Sequence, residues 1–309
     1  VDNVAMILKG FLSLSVALVF VYSKRFLQDK DIYRGEFYIL ALFALLGGFV
    51  MVSAQHFVSL YLGLEVLSLS MYALIALQRD SAKATEAALK YFVLGALASG
   101  LFLYGVSLIY GATYGQLGLS EVAHAIASGA ANSTLLSLGL VFVVAGFVFK
   151  LGTVPFHMWV PDVYQGSATP MTMFIGSAPK LAAFAFVLRI LAEGVPALFA
   201  QWQGMLVFCA ILSLILGNVV AIAQKEIKRM LAYSTISHMG FLLLGFAAGT
   251  SAGYQASMVY AIIYALSTSA AFGLILFISD KNKDVEYISD LKGLNRQNPI
   301  VAALFALVM

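Results

Sequence analysis

The sequence is built from apolar runs of membrane-crossing length, one after another. A helix needs ~20 consecutive apolar residues to span the hydrocarbon core of a bilayer. Nine full runs meet that length, at roughly 4–23, 36–54, 57–77, 85–110, 134–156, 168–192, 204–223, 227–249 and 254–279. A tenth, 299–309, is cut short. In hydrocarbon every backbone polar group must be satisfied within the protein, which leaves helices or closed barrels. A barrel strand reads as about ten residues of alternating polarity, and these runs are long and continuous. The residues are 61% hydrophobic and 11% charged, against roughly 25% charged in a soluble domain. The fold class is therefore an all-α polytopic membrane protein, and about ten spans are expected.

The basic residues test that division. Cytoplasmic connections carry an excess of Lys and Arg. Here Lys24, Arg25, Lys30 and Arg34 follow the first run, and Arg79 and Lys83 follow the third. Lys225, Lys228 and Arg229 lie at the connection after the seventh, and Lys281, Lys283, Lys292 and Arg296 follow the ninth. The connections of opposite parity, 55–56, 111–133, 193–203 and 250–253, hold no Lys or Arg. The asymmetry supports the span count and places the basic connections in the cytoplasm, with Val1 on the periplasmic side. The connection 157–167 has basic parity but no Lys or Arg.

Other function classes find no support. The net charge is +3, and the basic residues are dispersed among connections, so nothing suggests nucleic-acid binding. With Cys209 as the single cysteine, no disulfide and no cysteine-held cluster can form within the chain. No dinucleotide, phosphate-loop, nucleophile-elbow or metal-ligand motif is present. The chain begins at Val1 and its last run stops at Met309, which reads as an internal piece of a longer protein.

The ionisable residues that remain within the apolar runs carry the functional argument. A charge at mid-bilayer costs about 2.5–3.5 kcal/mol on insertion scales, and such residues mark ion or proton paths. Glu65 lies nine residues into the third run, in LYLGLEVLSLS. Lys90 opens the fourth and could instead reach the surface, as long cations do near span ends. Lys150 closes an uncharged segment and is followed by Pro155, which frees the Leu151 carbonyl. Lys180 sits mid-way along the sixth run, directly after Pro179. A buried lysine is a natural proton carrier. His238, at the centre of the eighth run beside Ser234 and Ser237, suits a relay near neutral pH, and His157 follows Pro155. For each the alternative is structural: a helix-tying ion pair for Glu65, a surface-reaching lysine, a packing histidine. Taken together, a row of buried lysines and one buried acid points to proton or cation translocation. An offset of 170 residues also aligns the third run with the eighth and Ser99 with Ser269. Internal repeats are common in transporters.

The stretch KLGTVPFHMWVPDVYQGSATPMT (150–172) resembles the broken seventh helix, with its following loop, of the antiporter-like subunits of respiratory complex I. LYLGLEVLSLSMYAL, EAALKYFVLGALASG and KEIKRMLAYSTISHMGF resemble the family's fifth, sixth and tenth helices. The form VPFHxWxPDVYQG is more similar to the quinone-reductase branch than to Mrp-type Na⁺/H⁺ antiporters. The resemblance implies a bundle with two inverted five-helix repeats, each with a broken helix. It divides the chain into a first span and loop (1–35), a first repeat (36–192) and a second, truncated repeat (193–309). It implies that Glu65 modulates Lys150 and that Lys180 carries protons on the central axis; Lys90, His157 and His238 remain candidates from the residue reading above. In the second half Thr235 would replace Glu65 and Tyr260 would replace Lys90. The implied setting is the bacterial inner membrane, with lipid, protons and other complex I membrane subunits as partners. NADH, FMN, iron–sulfur clusters and quinone would belong to partner subunits, with no cofactor in this chain. The alternatives are a stand-alone Mrp-type antiporter subunit and a purely structural membrane subunit.

Overall fold

The computed structural model describes residues 2–279 and 284–308. Lys281 and Lys283, counted above among the basic connections, lie outside the described residues. The chain order is α1 (Asn3–Asp29), α2 (Gly35–Ser53), α3 (Phe57–Ile75), α4 (Ala82–Ala112), α5 (Leu119–Ala127), α6 (Ser133–Leu151) and α7 (Trp159–Gly166), followed by α8 (Thr169–Gly176), α9 (Ala178–Leu188), α10 (Phe199–Ile222), α11 (Ile227–Ala247), α12 (Ser251–Ile278), α13 (Leu294–Gln297) and α14 (Pro299–Val308). Among the described residues, nine helical stretches are long and apolar enough to cross a membrane. One of them, Thr169–Gly194, joins α8, α9 and a π-helical turn at Arg189–Gly194.

Three sequence expectations change. The fifth run was expected to span 134–156, but α6 stops at Leu151. Gly152 adopts the left-handed conformation (φ +80°) that ends a helix, and its N–H bonds back to Val148 and Phe149. Residues 157–167 were expected as a connection, but Trp159–Gly166 is a second helical piece with Trp159, Val160, Pro161, Val163 and Tyr164 buried. A half-helix folded into the bundle is not a solvent-facing loop, which accounts for its lack of Lys and Arg. The sixth run is also interrupted: α8 and α9 meet at Ser177 (φ −110°, ψ −90°), two residues before Pro179.

Connections of opposite parity gather at opposite ends of the molecule. At one end Asp2, Gln55, Glu193 and the connection around Gly118 meet. At the other, Lys30 pairs with Asp284 at 3.0 Å, Lys90 with Asp162, and Glu226 lies beside Tyr287.

The 170-residue offset recurs in the backbone, at opposite ends. The Phe57 amide opens α3 by donating to Leu117 at 2.9 Å, while Leu119 donates back to Gln55. The Ile227 amide opens α11 by donating to Glu286 at 2.9 Å, while Ile288 donates back to Lys225. Helix packing repeats as well. A Cβ on Gly47 would lie 2.5 Å from the Leu67 nitrogen and 2.7 Å from the Gly63 oxygen. A Cβ on Gly217 would lie 2.7 Å from the Ser237 nitrogen and 2.9 Å from the Tyr233 oxygen. Glycine at both positions lets α2 approach α3 and α10 approach α11 closely, the small-residue packing of membrane helices.

Candidate functional site

The polar centre of the bundle is assembled by the breaks in α6–α7 and α8–α9. α6 delivers Lys150 one residue before its end, and α9 delivers Lys180 two residues after its start. Lys150 is 6% exposed and Lys180 2%, so neither reaches a surface. Lys180 donates from Nζ to the Leu151 carbonyl at 2.7 Å. The carbonyl freed at the end of α6 is therefore taken by Lys180, and not by Lys150 as the position of the break suggested. The Lys180 ammonium also lies 5.3 Å from the Trp159 ring centroid, within cation–π range. That ring is fixed by its N–H to the Phe149 carbonyl at 3.0 Å and by stacking on Tyr91 at 4.4 Å.

Lys150 donates to Ser68 Oγ at 2.8 Å, and the Ser68 hydroxyl donates onward to the Leu64 carbonyl at 2.6 Å. Glu65, one turn before Ser68 on α3, accepts from the Ser99 hydroxyl on α4. No ion pair joins Glu65 to Lys150 among the described residues; each has a serine partner instead. Through these contacts Glu65 on α3, Lys150 on α6 and Lys180 on α9 form a row, Lys150 reaching the serine one turn from Glu65 and Lys180 the carbonyl next to Lys150.

The remaining predicted residues fall outside this row. Lys90 is 44% exposed and binds Glu86 and Asp162, each at 2.8 Å, at the basic end. It lines a pocket of about 150 Å³ with Lys83, Glu86, Asp162 and Gln165. His157 lies in the break between α6 and α7, and its Nδ1 is buried. His238 bonds through Nδ1 to the Tyr260 hydroxyl at 2.7 Å. Ser237, expected to extend a chain from His238, instead accepts from Asn218 of α10. A cavity of about 190 Å³ beside His238 is lined by Ser234, Thr235, Tyr260, Tyr264, Ser267 and Thr268.

Two polar clusters escaped the sequence reading. Arg189, 2% exposed, ties Asp2 (2.7 Å), Glu193 and the Val52 carbonyl together at the end that carries few basic residues. It lies within the sixth run, so the criterion that selected Lys180 applies to it equally. Asp162 binds Lys90 and Arg229, the latter at 3.0 Å, and joins α4, α7 and α11. Burial opposes its ionisation, but the hydrogen bonds from Lys90 and Arg229 outweigh it and hold the carboxyl below its usual range. Its motif position in PDVYQG was visible, but its partners lie far away in sequence.

Comparison with known proteins decides the family. A model described as NADH:quinone oxidoreductase/Mrp antiporter, TM, matches residues 54–309. The chain belongs to that family. Within the family it is 56% identical over 308 residues to NADH-quinone oxidoreductase subunit N of Thiobacillus denitrificans, and 57% identical over 308 residues to that of Nitrosomonas europaea. Each alignment covers 100% of this chain and 64% of the relative, so the chain spans just under two thirds of the length of the curated relatives it matches. Among solved structures, a chain of respiratory complex I from Thermus thermophilus superposes with TM-score 0.81 at 37% identity, covering all of this chain and 64% of that one. The Mrp complex from Dietzia sp. superposes with TM-score 0.83 at 23% identity, over 99% of this chain and 55% of that one, which is a likeness of fold. The antiporter-like, multi-span fold expected from the sequence is thereby established.

Proposed function

We propose that this chain is the proton-carrying part of an antiporter-like membrane subunit of an NADH:quinone oxidoreductase. The observation that carries the reading is the row of partly buried Glu65 and buried Lys150 and Lys180, with Lys180 seated on the carbonyl of a broken helix. Glu65 modulates Lys150, and Lys150 acts on Lys180 through its charge. A change in the separation of Glu65 and Lys150, driven by electron transfer in other subunits, alters the field at Lys180. A like charge drawn close to a buried lysine favours loss of its proton. Lys90 and Asp162 stand together at the basic end, and His157 and His238 serve as relay groups. Residues 36–192 form one repeat and 193–309 the start of the second, oppositely directed one. NADH, FMN, iron–sulfur clusters and quinone would be held by partner subunits. The membrane would be the bacterial inner membrane, with Asp2 toward the periplasm.

The reading is tested in membrane vesicles carrying the full-length subunit with Lys180→Ala, in its complex. Proton uptake driven by NADH should fall by more than half while assembly persists, and coupled electron transfer should fall with it. An assembled complex with wild-type uptake would remove Lys180 from the path. A subunit of a stand-alone Mrp-type antiporter is the second reading, favoured only by the fold likeness above. Co-purification with quinone-reductase subunits separates the two.

A further inference from the structure

We propose that Ser68 is a positioning residue that holds Lys150 away from Glu65, so that the resting separation of this pair is set by one hydroxyl. The inference rests on the proton-carrying role given above to Glu65, Lys150 and Lys180.

The Ser68 hydroxyl meets three groups: the Leu64 carbonyl, the Lys150 ammonium and the Tyr72 hydroxyl. Its proton goes to the Leu64 carbonyl at 2.6 Å, the i−4 bond a helical serine makes when its side chain turns back along the helix. That bond fixes the side chain and leaves an oxygen lone pair pointing away from it. Lys150 Nζ donates to this oxygen at 2.8 Å. Glu65 and Ser68 stand three residues apart on α3, and residues at that spacing share a face. The ammonium is thus held next to the carboxylate's own helix, yet on the hydroxyl. Glu65 has a matching arrangement, since Ser99 of α4 donates to it.

Competition between the two acceptors is confined. The cavity beside Ser68, Tyr72, Ser99 and Lys150 measures about 10 Å³, at the lower limit for a single water. The lysine therefore has few alternatives to Ser68, and the acid three residues away is the strongest. Without the hydroxyl, Lys150 loses its acceptor and moves to Glu65. The pair then stays closed, and its separation no longer responds to the rest of the complex. Threonine keeps an Oγ1 that can make the same i−4 bond and so preserves the device; alanine abolishes it.

The experiment uses the full-length subunit in its assembled complex, in vesicles, with NADH-driven proton uptake and electron transfer as readouts. Ser68→Ala should lower uptake about three- to tenfold with assembly retained, and Ser68→Thr should restore it to within twofold of wild type. In a Glu65→Gln background, Ser68→Ala should have no further effect, because the acid that would capture Lys150 is gone. Wild-type uptake in Ser68→Ala would overturn the proposal. So would an undiminished Ser68→Ala effect in the Glu65→Gln background, which would mark a packing defect. Lys180→Ala in the same vesicles separates the two levels: normal uptake there would sink the proton-carrying reading itself. Loss of uptake in Lys180→Ala alongside a silent Ser68→Ala would sink the positioning role alone.

Discussion

Phe57 and Ile227 begin their helices in the same way at opposite ends of the molecule. Each amide donates at 2.9 Å to a carbonyl of a later connection, and a residue of that connection donates back. The glycines at 47 and 217 occupy equivalent places beside these helices. Alanine at either site would force its methyl group to within 2.7 Å or less of backbone atoms of the facing helix. Gly47→Ala and Gly217→Ala should therefore each destabilise the protein, by about 1–3 kcal/mol, the range for overpacking. Their thermal midpoints in detergent should fall by similar amounts. A large loss for one and none for the other would show that the two helix pairs are not mechanically equivalent.

Arg189 gives a prediction about order of effects. The guanidinium is buried, whereas its partners Asp2 and Glu193 remain partly exposed. Removing the acids leaves an uncompensated buried cation; removing the cation leaves acids that water can reach. Asp2→Asn combined with Glu193→Gln should cost about 3 kcal/mol, the low end for breaking a buried pair because of that exposure. Arg189→Met should cost less. Melting of the purified subunit in its complex orders the two variants, and the reverse order would contradict this account.

Asp162 carries a pH dependence with a definite sign. Its carboxyl is held below the usual carboxylate range in the folded protein. The ionised group therefore contributes stability that is fully present above about pH 4, the value of a free aspartate, and is lost as pH falls through the lowered folded value. Asp162→Asn should be less stable at pH 7 by about 1 kcal/mol, because its ion pairs are partly exposed and screened. It should lose less than wild type on acidification. Melting curves from pH 7 to pH 3 measure the difference, which should narrow only at the acid end.

Trp159 joins the two halves of the broken helix through its N–H to Phe149 and its face toward Lys180. Trp159→Phe keeps an aromatic face but removes the indole N–H bond to the Phe149 carbonyl, which still accepts from Gly152. It should lower stability by about 0.5–1.5 kcal/mol, the net worth of one hydrogen bond. Trp159→Leu should lower it further by removing the stacked ring. Equal stability of all three proteins would show that the ring does not brace the break.

What the sequence disclosed follows from the physics of the bilayer. Runs such as 204–223 and 254–279 are dictated by length and apolarity, so their helices α10 and α12 follow within a few residues. Glu65, Lys150, Lys180 and His238 stood out because a charge or polar ring in such a run is costly. The breaks were only half legible. Pro155 and Pro179 announced them, yet α6 ends earlier, at the left-handed Gly152, and α7 then resumes inside the bundle. A half-helix of eight residues is too short to register as a span. Partners were not legible at all. That Lys150 meets Ser68, and Lys180 the Leu151 carbonyl, depends on how α3, α6 and α9 pack across separations of 82 and 29 residues.

The acceptor chosen for Lys180 has a consequence for direction. A carboxylate beside that lysine could receive its proton and keep it, turning release into a local exchange between neighbours. A peptide carbonyl holds an ammonium well but does not become protonated in turn. In the proposed role, a proton leaving Lys180 cannot be stored on the group that steadies it, and must be passed to a different acceptor. The end of a broken helix would then serve as a charge-stabilising seat that takes no part in the transfer itself.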